Sequence, residues 1–130
     1  MKELVTFEQA LKFKQLGFNE YCDRVFSSAS KTLVTKKQRV KNSNLRNLFI
    51  TAGRIVDALE WLREHENIKC AIFLNMYLDV TSDNPLYKAD GYKWEYINPK
   101  SNEYIQSDIS FPTHLKAASA LLTSIFDNYG

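Results

Sequence analysis

Residues 68–80 read Ile68-Lys69-Cys70-Ala71-Ile72-Phe73-Leu74-Asn75-Met76-Tyr77-Leu78-Asp79-Val80, and this stretch decides the fold. Every second residue from Ile68 to Val80 is apolar apart from the small, weakly polar Cys70, and this period of two is the pattern of a β-strand. The segment that follows, Thr81 to Gly91, contains the turn-forming pairs Asn84-Pro85 and Asp90-Gly91. We therefore expect this segment to join two strands.

Two more strands are predicted after this turn. Tyr92, Trp94 and Tyr96 alternate with other residues in the next run, and residues 98–102 (Asn-Pro-Lys-Ser-Asn) supply a turn of hairpin length. A third strand is expected from about Glu103 to Ile109. Consecutive strands with short turns pair antiparallel, so the sequence predicts a three-stranded meander.

Helices are predicted on both sides of the meander. Thr6 and Gln9 have the spacing of a capping box at the start of an N-terminal helix, and Gly17 is suited to end it. A second helix is expected from near Ala52 to about Glu66, and a final helix after Pro112. The fold class is therefore α+β: an N-terminal helix, then α-β-β-β-α, with helices packed on one face of the antiparallel meander. The aromatic side chains are expected on the other face.

Length and composition limit the class of protein. The chain has 130 residues, of which 45% are hydrophobic and 13% aromatic, so we expect one globular domain over residues 1–130. No apolar run approaches the ~18 residues of a membrane span. The opening residues do not resemble a signal peptide, and Cys22 and Cys70 lack disulfide or zinc spacing, so a soluble, cytoplasmic protein is expected.

Basic residues are concentrated in one part of the chain. Between Arg24 and Val56 there are eight basic residues and no acid, while the rest of the chain has nine basic and fifteen acidic residues. Residues 30–47 also have few large apolar side chains, which indicates an exposed loop or arm. Its positive field can attract an anionic partner, or it can pair with the acidic remainder of the same chain.

Several stretches resemble a known family. They are Thr6 to Leu11, Leu16 to Glu20 with Cys22, and Trp61 to Glu64, followed by a strand, a Tyr/Trp-rich hairpin and an Ala/Leu helix. Together they are similar to a family of small uncharacterised proteins of Bacteroidetes genomes, phages and mobile elements. The resemblance implies a phage or mobile-element setting, and hence the cytoplasm of a host cell. It implies no activity, because that family has no established catalytic or binding residues.

No motif in the sequence indicates catalysis or a cofactor. His65 and His114 are the only histidines, and neither belongs to a metal-binding motif. Cys22 and Cys70 are interpreted as buried structural thiols. Glycines are too widely spaced for a phosphate-binding loop. We therefore predict no enzyme, no metal site and no small-molecule cofactor.

Two binding functions remain as predictions. The first is a non-enzymatic accessory protein that binds a protein partner or forms a homo-oligomer, without contact to a membrane, through Tyr92, Trp94, Tyr96 and Tyr104. The alternative is a nucleic-acid-binding module in which basic side chains hold phosphates and Trp94 stacks on a base. The basic residues of this alternative are Lys31, Lys36, Lys37, Arg39, Lys41 and Arg46.

Overall fold

The structure of the protein, a computed structural model, describes residues 4–45, 48–81 and 83–129. In this part of the chain, three α-helices and two three-stranded antiparallel sheets form the α+β fold that the sequence predicts. The chain divides into two compact units, Met1–Trp61 and Leu62–Gly130. None of the helices among the described residues has the length and apolar character that a bilayer crossing requires.

The first helix, α1, spans Phe7–Gln15, and its predicted ends are confirmed. The Thr6 hydroxyl accepts a hydrogen bond from the backbone N–H of Gln9 at 3.2 Å, and the Gln9 side chain accepts one from the Thr6 N–H at 3.0 Å. Leu16 follows as the C-cap, and Gly17 takes a φ of +96°, which ends the helix. Glycine is preferred there because this conformation is strained for other residues.

The first unit contains a sheet that the sequence analysis did not predict. Its strands are β1 (Cys22–Ser27), β2 (Leu33–Val40) and β3 (Phe49–Thr51), in the order β2-β1-β3. Within the segment expected to be a loop or arm, β2 is mostly exposed, but its backbone is paired with β1. A strand exposed on both faces has no apolar alternation, so its pairing leaves no mark in the sequence pattern.

A buried asparagine connects distant parts of this first unit. Asn42, in a short 3-10 helix (Asn42–Asn44), donates from Nδ2 to the Phe18 carbonyl at 2.8 Å. Its Oδ1 accepts from the backbone N–H of Thr51 at 3.0 Å. Nearby, the rings of Phe13, Phe18 and Trp61 contact one another edge to face, with centroids 5.3 to 5.9 Å apart. The Asn42 side chain therefore provides hydrogen-bond partners for two backbone groups next to an aromatic core.

The predicted meander is confirmed in the second unit. Helix α2 spans Ile55–His65, and the boundary between the two units falls within it. The strands of the second unit are β4 (Lys69–Asp79), β5 (Leu86–Ile97) and β6 (Tyr104–Gln106), in the order β4-β5-β6. Strand β5 begins at Leu86 and not at Tyr92, and β6 is shorter than expected. The hairpin of β4 and β5 is therefore longer than the sequence analysis predicts.

The last helix, α3 (His114–Tyr129), packs on β4 and β5. Leu121, Leu122 and Ile125 are fully buried along this helix. The Tyr96 hydroxyl donates to the backbone carbonyl of Ser124 at 3.2 Å and accepts from Nδ2 of Asn128 at 3.1 Å. These contacts show that α3 covers the sheet face to which Tyr96 belongs.

Candidate protein-binding surface

The four aromatic residues predicted to bind protein do not form an exposed patch. Trp94 is 9% exposed and Tyr96 is 3% exposed, and Tyr92 is half-buried with its ring 5.8 Å from the ring of His114. Tyr104 is exposed, and its hydroxyl donates to the Glu95 carboxylate, which raises the pKa of Tyr104. The expectation that these rings lie on the open sheet face is wrong for Trp94 and Tyr96, because α3 packs on their face.

The Asp90-Gly91 pair, predicted to be part of a turn, is a bulge inside β5. Leu74 pairs with Tyr92, but Met76 pairs with Ala89, so Asn75 stands opposite both Asp90 and Gly91. Gly91 has a φ of +118°, and a Cβ atom there would lie 2.5 Å from the Phe111 carbonyl oxygen. The bulge therefore needs glycine both for its conformation and for the close approach of Phe111.

Polar side chains support the bulge from the side. Nδ2 of Asn75 donates to the Asp90 carboxylate at 2.6 Å, and the Ser110 hydroxyl donates to the same carboxylate oxygen at 3.2 Å. The backbone N–H and carbonyl of Tyr92 bond to those of Phe111 at 2.8 and 2.7 Å. These bonds attach the segment before α3 to the middle of the hairpin.

Beyond the bulge, the hairpin continues past the N-terminal end of α3, at His114. Side chains alternate along β4, so Met76 and Leu78 lie on the same face as Leu74, and their partners Ala89 and Tyr87 lie there too. This is the face that α3 covers nearer the base of the hairpin. We refer to Met76, Leu78, Tyr87 and Ala89 as the apolar tip face.

The apolar tip face is exposed and carries no charge. Met76 is 59% exposed and Tyr87 is 74% exposed, while Leu78 and Ala89 are exposed as well. Large contiguous apolar patches on a protein surface mark contact sites. The tip of the hairpin is therefore a candidate surface for a protein contact.

The opposite face of the tip contains an ion pair. Nζ of Lys88 lies 2.7 Å from the Asp79 carboxylate, which also accepts bonds from the backbone N–H and hydroxyl of Thr81 at 3.0 and 2.6 Å. Lys88 first, and then Thr81, lower the pKa of Asp79 to about 2. Tyr77 and Leu86 share this face by register. One face of the hairpin tip thus contains charged side chains, and the other contains none.

The basic residues predicted to bind nucleic acid lie in and around a bulge of β2. Cys22 pairs with Val40 and Arg24 pairs with Thr35, so residues 36–39 of β2 stand opposite Asp23 alone. Residues 36–39 are Lys-Lys-Gln-Arg. The bulge therefore presents three cations on the edge strand of the first sheet, while Arg46 lies outside the described residues.

Aromatic rings and carbonyls contact several of these cations. Nζ of Lys36 lies 4.4 Å from the Phe49 ring centroid, and Nζ of Lys41 lies 5.0 Å from that of Tyr21. Nζ of Lys31 lies 5.5 Å from the Phe7 ring, and Arg39 donates to the Tyr21 carbonyl at 2.9 Å. Within the part of the chain that the structure describes, Lys31, Lys36, Lys37, Arg39 and Lys41 form no ion pair with a carboxylate.

Both cysteines are free thiols. Cys22 and Cys70 are half-buried, and burial raises the pKa of each thiol above its usual value. Over residues 4–45, 48–81 and 83–129, no three His, Cys, Asp or Glu side chains are grouped so that they could hold a metal ion.

Comparison with known proteins finds no match among protein-family models, curated proteins or solved structures.

Proposed function

We propose that this protein is a non-enzymatic accessory protein that binds protein through its apolar tip face. One observation supports this function. The sheet face that α3 covers continues past the N-terminal end of that helix, where it is exposed to solvent. Met76 and Tyr87 there expose large apolar surface, and no charged side chain interrupts it. Apolar and aromatic side chains of this kind form the centres of protein interfaces.

The setting that we propose is the cytoplasm of a cell that carries a phage or mobile element. It rests on the resemblance of the stretches from Thr6 to Cys22 and from Trp61 to Glu64. The binding surface rests on the hairpin alone, so the two parts of the proposal can be tested separately.

Photo-crosslinking in cells that express the protein tests the binding surface. A benzophenone amino acid replaces Met76 in the apolar tip face in one variant, and Leu86 on the opposite face in the control; both positions are highly exposed. We expect discrete protein adducts from position 76 and fewer from position 86. Equal adduct patterns at the two positions, or none at position 76, would contradict a protein contact through this face.

Nucleic-acid binding by the basic segment is the second candidate function. It is favoured by one observation: within the described residues, Lys36, Lys37 and Arg39 have no carboxylate partner and lie in a bulge on an edge strand. Cations without such a partner can contact phosphates directly. Lysines and bulges also protect edge strands from aggregation, which accounts for the same residues without a ligand.

A binding titration separates these interpretations. Fluorescence anisotropy with single- and double-stranded DNA and RNA is measured from about 50 to about 200 mM salt, where phosphate contacts weaken steeply. If the segment binds phosphates, Lys36→Glu with Lys37→Glu abolishes binding. The control, Lys12→Glu with Lys116→Glu, makes the same change in net charge outside the segment. No binding by the parent protein at low salt would end this candidate.

A further inference from the structure

Strand β4 forms one edge of the second sheet, because the strand order is β4-β5-β6. The N–H and carbonyl groups of Tyr92 bond to Phe111, and those of Trp94 bond to Ser107. In both residues of β5, these backbone groups are therefore directed away from β4. In antiparallel pairs, the two opposed residues point their backbone groups either toward each other or both away. Leu74 and Ile72, which pair with Tyr92 and Trp94, therefore present their N–H and carbonyl groups on the free edge.

This edge lacks the devices that usually prevent strand pairing. From Cys70 to Leu78 it has no charged residue and no proline, and the extra residue of the bulge is on β5. Long apolar edges of this kind are templates for another strand. At the start of this edge, Arg63 donates to the Cys70 carbonyl at 3.2 Å.

The charges of β4 select one register for a second copy of the same strand. Lys69 and Asp79, at its two ends, are its only charged residues. Antiparallel pairing of two β4 strands about a two-fold axis at Leu74 places Lys69 of each copy opposite Asp79 of the other, on the same face. An axis at Ile72 would place Lys69 opposite Asn75, and an axis at Met76 would place Asp79 opposite Phe73. Of these three registers, only the one about Leu74 brings Lys69 to Asp79, whose carboxylate also lies 2.7 Å from Lys88 of its own chain.

We propose that two copies of this chain pair through β4, antiparallel and centred on Leu74, to form a continuous six-stranded sheet. The proposal rests on the proposed function, because it names the partner of the hairpin surface. Side-chain sizes agree with this register. Tyr77 stands opposite Ala71, and Leu78 opposite Cys70, so these two large residues each meet a small one across the interface.

The size of this contact predicts a concentration-dependent dimer. Pairing covers the edge backbone of both copies and the flanks of Leu74, Met76 and Leu78 that lie beside the partner strand. A specific interface buries about 600 Å² or more of each partner, and a single strand edge with partly covered side chains is a small contact, so we expect the dimer to dissociate on dilution. An uncharged apolar edge also fits a second identical edge better than it fits a charged partner.

Engineered disulfides test the register. In a Cys22→Ser, Cys70→Ser background, Leu74→Cys places the two thiols on the two-fold axis, where paired Cα atoms lie about 5.5 Å apart and within disulfide range. Tyr77→Cys is the matched control, since Tyr77 is 46% exposed and Leu74 is 44% exposed. Its two copies would stand about 20 Å apart in this register. We expect a disulfide-linked dimer on mild oxidation for Leu74→Cys and monomer for Tyr77→Cys.

Mixing two different cysteine variants tests whether non-identical positions of the two copies stand opposite each other. Ala71→Cys and Tyr77→Cys are expected to form a disulfide when mixed, and neither alone. Circular dichroism verifies that each variant is folded. If a variant fails this check, Lys69→Glu provides a second test, because it places an acid opposite Asp79 and is expected to lower the dimer fraction. Lys93→Glu, the same charge change away from the edge, is expected to leave it unchanged.

The failure of this inference is distinguishable from failure of the proposed function. Equal oxidation rates for Leu74→Cys and Tyr77→Cys would overturn pairing about Leu74. Adducts of position 76 with other proteins alone would also overturn it, while the hairpin would remain a protein-binding surface. Absence of all adducts at position 76 would contradict both.

Discussion

The ring of His114, the first residue of α3, contacts the ring of Tyr92 edge to face at 5.8 Å, at the point where the helix stops covering the hairpin. On one side of this contact, Trp94 and Tyr96 are buried on the helix-covered face. On the other side, Met76 and Tyr87 continue the same face in solvent. One sheet face therefore serves as core near the helix and as surface at the tip.

Gly91 is expected to be the glycine least tolerant of substitution. Gly91→Ala combines a positive φ with a Cβ atom 2.5 Å from the Phe111 carbonyl oxygen. We expect it to lower the free energy of unfolding by roughly 3 kcal/mol, since strain and overpacking add. Urea denaturation followed by circular dichroism measures this loss.

Gly17→Ala provides the control for backbone strain. Gly17 also has a positive φ, but a Cβ atom there would meet no atom within 4 Å. We expect a loss of about 1 kcal/mol, from conformation alone. Equal losses for the two variants would show that the approach of Phe111 to the bulge is unimportant for stability.

Asn42 is expected to stabilise the first unit through its two buried hydrogen bonds. Asn42→Ala leaves the Phe18 carbonyl and the Thr51 N–H without their side-chain partner. Buried backbone groups without a partner cost about 1 to 3 kcal/mol each, so we expect a loss of roughly 2 to 4 kcal/mol in urea denaturation. Asn44→Ala, at an exposed position of the same 3-10 helix, should change stability by less than about 0.5 kcal/mol. Similar effects of both variants would refute the role of Asn42.

The Asp79–Lys88 ion pair predicts a measurable acid titration. We expect NMR titration to give a pKa of about 2 for Asp79, and Lys88→Met to raise this pKa toward the ordinary value of 3.8. The folded-state pKa is lower than that of the unfolded chain, so the pair stabilises the fold above pH 3.8. This contribution is lost as the pH falls toward 2. An unchanged Asp79 pKa in Lys88→Met would show that Lys88 is not the main cause.

The sequence predicts well those elements that carry a capping signal or a regular side-chain period. The capping box of Thr6 and Gln9 and the alternation from Lys69 to Asp79 both correspond to observed elements. Strand β2 is not predicted from the sequence, because its residues are mostly exposed on both faces and show no apolar alternation. Pairing with β1 is a long-range interaction that local periodicity does not record.

The candidate surface was predicted only in part, and for two reasons. Asp90-Gly91 is a common turn pair, but here its glycine permits a bulge and the strand continues through it to Leu86. The placement of Trp94 and Tyr96 cannot be predicted in the same way, because alternation shows which residues share a face without showing which face a helix covers. The available signal for the tip was the apolar run reaching Leu78 and resuming at Leu86 and Tyr87.

The central claim is that two copies of the chain pair through β4 beside the apolar tip face, and the mass of the purified protein in solution tests it most directly. Light scattering over a concentration series should show the parent chain approaching twice its 15.1 kDa. Met76→Lys, in the tip face, should remain monomeric, whereas Leu86→Lys, at a comparably exposed position on the opposite face, should dimerise like the parent. A parent protein that stays at 15.1 kDa throughout, or equal effects of the two lysine substitutions, would contradict the account.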